Sequence, residues 1–221
     1  MKILALEFSS PQRSVAVLHG DADGRVLASA EAVESASGNT MQPLALVERV
    51  LSEARLEREQ IEIIAIGVGP GSDSGIRAAI ALAQGWSLGR EVKLLGVSSV
   101  EAVAVQAHAE GLRGRVSVVI DAQRGEFYLA GYDFGETTLC EMSPLRIVSR
   151  TESAAISAEA WIGPEVAEWI PHGRVVFPRA ATLACLALPR TDFLPGEKLE
   201  PIYLRETSFV KAPPPRVLPP E

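Results

Sequence analysis

The chain has 221 residues, 47% of them hydrophobic and 22% charged, enough apolar mass for one large domain or two small ones. A formal net charge of −7 leaves no surplus of positive field for neutralising phosphates, so any RNA would have to be reached through a basic partner. The two cysteines, Cys140 and Cys185, fit neither a disulfide framework nor a zinc knuckle and suit a reducing, cytoplasmic setting, and no apolar run reaches the roughly 18 residues of a membrane span.

The opening KILALEFSS and the following SVAVLHG read as strands divided by the turn-like PQR, with apolar alternation in place of a signal-peptide pattern. A reversal at DADG leads to a third strand, RVLASAEAV. From Pro43 to Leu56, the residues Leu44, Val47, Val50, Leu51 and Ala54 recur at helical spacing. Next come a buried-looking strand IEIIAIGVG, a glycine loop GPGSDSG, a helix over GIRAAIALAQGWSLG and a strand EVKLLGV. Ser98 and Glu101 then form a capping-box pattern at the head of a further helix, SSVEAVAVQAHAE.

Past the break at EGLRGR, the order begins again. RVSVVIDA, EFYLAGYD and LCEMSPLRIV predict three strands, TESAAI a short helix, AEAWIG a strand and ATLACLAL a later helix. The element order is that of a degenerate βββαβα repeat. Two such units predict an α/β, two-lobed, ribonuclease-H-like (actin-like) fold, an inference from architecture that carries no function by itself. The expected division is residues 1–111 as the first lobe, 112–209 as a smaller second lobe, and a proline-rich mobile tail over 210–221.

The glycine loop invites three chemical readings. A phosphate loop would need Lys-Ser/Thr after its last glycine, where Ile76 and Arg77 stand, and the dinucleotide fingerprint fails at Ser72 and Ser74. A nucleophile elbow would place Asp73 at its centre, yet His108 and His172 lack the constellation of a triad. Nor do His19, His108 and His172 have metal-ligand spacing, so no metal site and no catalytic residue are assigned. What remains is a tight strand-to-helix turn with some capacity for an anion.

The helix after the loop has almost no polar face, being interrupted only by Arg77, Gln84 and Ser87. Either it is buried wholly within the chain, or one face packs on its own sheet and the other on a second subunit.

With LALEFSS, GVGPGSDSGIRAAIALAQGWSLG, LLGVSSVEAVA, VIDAQRGEFYLAGY and EPIYLRE in this order, the chain resembles the bacterial TsaB (YeaZ) family over residues 1 to about 205. The resemblance implies a non-catalytic scaffold in the formation of threonylcarbamoyladenosine on tRNA. Such a subunit activates a TsaD-type catalytic subunit, joins a TsaE-type ATPase, meets tRNA only through the complex and forms a homodimer when alone. The implied contact lies on the two first-lobe helices, through Leu44, Val47, Ile76, Arg77, Ala79, Ile80 and Ala83. No tightly bound cofactor is implied, only ATP or ADP at a subunit interface of the complex. The chain departs from the family pattern at Glu7-Phe8-Ser9, where Asp-Thr-Ser is usual, and at Asp73, where phenylalanine is usual. The alternative is an autonomous nucleotide-dependent, kinase-like enzyme, with ATP between the lobes held by Ser9, Ser10, Gly69 and Gly71.

Overall fold

A computed structural model describes residues 1–21, 26–35 and 43–205; the expected tail over 210–221 and most of the expected DADG reversal lie outside the described residues. The first sheet is built on β1 (Lys2–Glu7), whose side chains alternate between two buried faces. β2 (Gln12–Gly20) and β3 (Val26–Ser35) extend it antiparallel on one side. After α1 (Pro43–Ala54), β4 (Ile63–Gly67) joins β1 in parallel on the other side. α2 (Asp73–Gly89) leads to β5 (Lys93–Val97), which completes the order β3-β2-β1-β4-β5. Leu4 and Leu6 of β1 turn to the face covered by α1 and α2, while Ile3 and Ala5 turn to the other.

α3 (Ser99–Ala109) carries the chain to the second sheet. There β6 (Gly114–Gln123), β7 (Glu126–Phe134) and β8 (Leu139–Ser149) form an antiparallel meander. α4 (Arg150–Ser153) precedes β9 (Ala160–Gly163), which runs parallel to β6, and β10 (Arg174–Val175) ends the sheet in the order β10-β9-β6-β7-β8. Each strand of the second sheet thus occupies the place of its counterpart in the first, which establishes the two-lobed α/β fold expected from element order. In the second unit the helical layer is reduced to the single turn of α4 and a 3-10 turn at Val166–Glu168.

The helices do not respect the division of the sheets. α5 (Ala180–Ala187) returns to the first lobe, where Leu183 and Ala184 pack with Ile3, Ala5, Leu95 and Val97. α3 lies between the lobes: Val100, Val103, Ala104 and Ala107 pack on the second sheet, while Ala102 belongs to the first cluster. A cut at 111/112 therefore separates the sheets but not the packed layers, because each lobe's second sheet face is closed by a helix that a sequence boundary assigns elsewhere.

Candidate functional site

The glycine loop is seated on the end of β1. A Cβ at Gly71 would stand 2.1 Å from the Ser9 carbonyl oxygen, and one at Gly75 would stand 2.0 Å from that of Phe8. Neither position tolerates a side chain, and Ser72 N–H donates to the Ser9 carbonyl at 2.7 Å across the same contact. The loop's composition is set by this close approach. At the head of α2 the donors are partly spent: Gly75 N–H reaches Ser72 Oγ at 3.4 Å, and Ile76 N–H reaches the Ser72 carbonyl at 3.0 Å.

Between the lobes lies a cavity of about 860 Å³. Ser9, Ser10, Arg13 and the run Gly71 to Ser74 form one wall; Ile120 to Gln123, Tyr128, Pro164 and Glu165 form the other. Of the expected nucleotide ligands, Ser9, Ser10 and Gly71 line this cavity, and Gly69 does not. Both serines are nearly inaccessible, and the Ser10 hydroxyl donates to the Gln12 carbonyl at 2.7 Å. The charged side chains lining the cavity are Asp73, Asp121, Glu165 and Arg13, and Asp73 and Asp121 are paired with Arg77 and Arg150. Burial and the neighbouring carboxylates Glu168 and Asp121 push the Glu165 carboxyl above its ordinary range.

Asp73, the centre of the elbow-like motif, is engaged. Its Oδ2 accepts from Arg77 Nε at 2.9 Å and its Oδ1 from the Tyr203 hydroxyl at 2.9 Å, and the Arg77 bond above all holds its carboxyl below the usual range. Neither His108 nor His172 lines the cavity; His108 Nε2 donates to the Gly135 carbonyl at 2.8 Å. The described residues contain no group of three His, Cys, Asp or Glu side chains placed to hold a metal, and no described helix is long and apolar enough to cross a membrane.

The two helices over the first sheet present a second surface. Val47, Ile76, Ala79, Ile80 and Ala83, among the expected partner contacts, are buried in the first lobe's core within this chain. Of the seven expected contacts only Leu44, 57% exposed, and Arg77 face outward. Sequence reasoning missed the residues that do: Ala81, Gly85 and Leu88, the last 90% exposed, run along the outer side of α2, with Ala45 exposed on α1. A Cβ at Gly85 would meet nothing within 4 Å.

The family model for TsaD, tRNA N6-adenosine threonylcarbamoyltransferase, matches residues 34–194. The Escherichia coli (strain K12) tRNA threonylcarbamoyladenosine biosynthesis protein TsaB is 30% identical over 224 residues, covering 93% of this chain and 95% of that protein. The chain belongs to the TsaB (YeaZ) family. The TsaB protein of Bacillus subtilis (strain 168) is 28% identical over 65% of this chain and 60% of its own. A solved structure described as YeaZ from Pseudomonas aeruginosa superposes with a TM-score of 0.74 at 27% identity, covering 92% of this chain and 99% of that one. The TsaB match thus spans both sheets as well as the helices that cross between them.

Proposed function

We propose that this chain acts in forming threonylcarbamoyladenosine on tRNA, as the role named for its TsaB relatives indicates. It does so as a non-catalytic subunit that docks on a TsaD-type catalytic subunit through the outer faces of α1 and α2. Alone it forms a homodimer through the same face, and the TsaE-type ATPase joins the assembled pair. It needs no cofactor of its own, and its net charge of −7 leaves contact with tRNA to the partner. All these components work in the cytoplasm.

One observation carries the reading: Gly85. A glycine inside a helix costs about 0.5–1 kcal/mol relative to alanine. Among the described residues nothing repays that cost, because its Cβ direction is open space. A partner helix packed on Ala81, Gly85 and Leu88 supplies the missing reason, since small residues let two backbones approach closely. The nucleotide-enzyme alternative has less behind it: Ser9 and Ser10 are nearly inaccessible, the Ser10 hydroxyl is spent on the Gln12 carbonyl, and Gly69 does not line the cavity.

Sedimentation velocity of the protein alone, and mixed with the TsaD-type subunit of the same organism, tests the reading on the parent and on Gly85→Leu. The substitution fills solvent and improves helix propensity, so the variant keeps or raises its melting temperature. It nevertheless loses at least tenfold in association with itself and with the partner. Unchanged association in a well-folded variant would take the docking face away from α2.

A further inference from the structure

The last described segment ties the two walls of the interlobe cavity together. It is firmly laid on the first lobe as far as residue 202: Leu194 N–H donates to the Leu94 carbonyl at 2.9 Å, Leu199 is buried in the first core, and Ile202 N–H donates to the Val68 carbonyl at 2.9 Å. The next residues change character. The Tyr203 hydroxyl donates to Asp73 Oδ1 at 2.9 Å and accepts from Arg77. Two positions on, Arg205 donates to the Ala122 carbonyl at 2.9 Å and to Glu126 Oε2 at 2.5 Å. Asp73 lies in one wall of the cavity and Ala122 in the other.

We propose that residues 202–205 are a strap that sets the opening of the interlobe cavity, with Tyr203 latched to Asp73 and Arg77 on one wall and Arg205 latched to Ala122 and Glu126 on the other. The strap differs in kind from the packing around α3 and α5. That packing is apolar and buried. The latch is polar and reached by solvent: the Tyr203 side of the strap is 55% exposed, and the Arg205–Glu126 side chains are 31% and 38% exposed. Exposed ion pairs of this sort contribute little each and weaken as salt screens them. The lobes are thus joined by buried apolar packing at α3 and by an exposed polar latch at the strap. Because Arg77 and Asp73 belong to α2, whatever draws them away from Tyr203 loosens one end of the strap.

The test measures the distance between the walls directly. Spin labels at Ser74→Cys and Gln123→Cys, both exposed positions on opposite walls, are placed in a chain whose Cys140 and Cys185 are replaced by Ser. The labelled protein is expected to give a narrow distribution at low salt and a longer, broader one at about 1 M salt, where the screening length falls to about 3 Å. Arg205→Ala should give the longer distribution already at low salt and lose the salt response; Tyr203→Phe, which keeps the ring and removes the hydroxyl, should shift the same way. Both positions are at the surface, so far-UV circular dichroism should match the parent. Distributions for both variants that coincide with the parent's, or a salt response that survives in Arg205→Ala, would overturn the strap.

Discussion

Glu7 ends β1 wholly buried, and no salt bridge to it forms among the described residues. Its Oε1 accepts from Ser9 N–H at 2.7 Å and its Oε2 accepts from the Ser99 hydroxyl at 2.8 Å. The space is closed by Gly67, whose Cβ would come within 2.1 Å of Oε2. Burial raises the Glu7 pKa above 4.5, and the hydrogen bonds from Ser9 and Ser99 offset part of the rise. The folded chain therefore holds this proton more tightly than the unfolded one. Stability falls as pH climbs from the ordinary carboxyl value through the raised folded value, and levels off above it. Glu7→Gln keeps both contacts, its amide oxygen accepting from Ser9 and its NH2 donating to Ser99. Urea unfolding should find the variant close to the parent in acid below 4.5 and more stable than the parent above neutrality. A variant weaker than the parent at both ends of the range would mean that the negative charge itself is needed here.

At the scale of elements, α5 shows how a helix can be capped from outside its own sequence. Its N-cap residue, Arg179, makes no side-chain cap bond. The first N–H groups are met instead by the first sheet: Ala180 N–H donates to Ser14 Oγ at 2.8 Å and Ala181 N–H to Glu31 Oε1 at 3.1 Å, while Arg179 pairs with Glu31. Ser14→Ala leaves a buried donor without its acceptor and should cost about 1–2 kcal/mol in thermal or denaturant unfolding; an unchanged midpoint would show that the cap is idle. Nothing in the local sequence foretells this cap. Ser98 and Glu101 illustrate the converse, since their spacing predicts a box that does not form: Ser98 makes no side-chain cap bond. A capping box does form at Ser149 and Glu152, which the strand pattern around them hid. α1 and α2 were legible from periodicity because apolar residues recur on the face each helix turns to its own sheet. Five of the contacts that the resemblance implies, Val47, Ile76, Ala79, Ile80 and Ala83, lie on that same inward face and are buried within this chain. The outward ridge of Ala81, Gly85 and Leu88 repeats at the same helical spacing as the inward face, so periodicity alone cannot tell the two apart, and the open space around Gly85 marks it.

For the whole molecule, the crossing of α3 and α5 decides how the chain unfolds. Without α5, the first sheet would expose Ile3, Ala5, Leu95 and Val97; without the second sheet, α3 would expose Val100, Val103, Ala104 and Ala107. Each lobe thus depends on chain from beyond residue 111 or before it to close its core, and uncovering that much apolar surface on one side of a small sheet leaves little margin for independent stability. The lobes should therefore melt as one unit. Far-UV circular dichroism follows both sheets, whereas tryptophan fluorescence weights the second lobe through Trp161 and Trp169 and the first through Trp86. The two signals should trace coincident curves in denaturant. Fragments 1–111 and 112–221 should each fail to give a cooperative transition alone and should recover one on mixing. A fragment 1–111 that melts cooperatively by itself would make the lobes autonomous, and it would assign α3 and α5 to the contact between finished domains instead of to their cores.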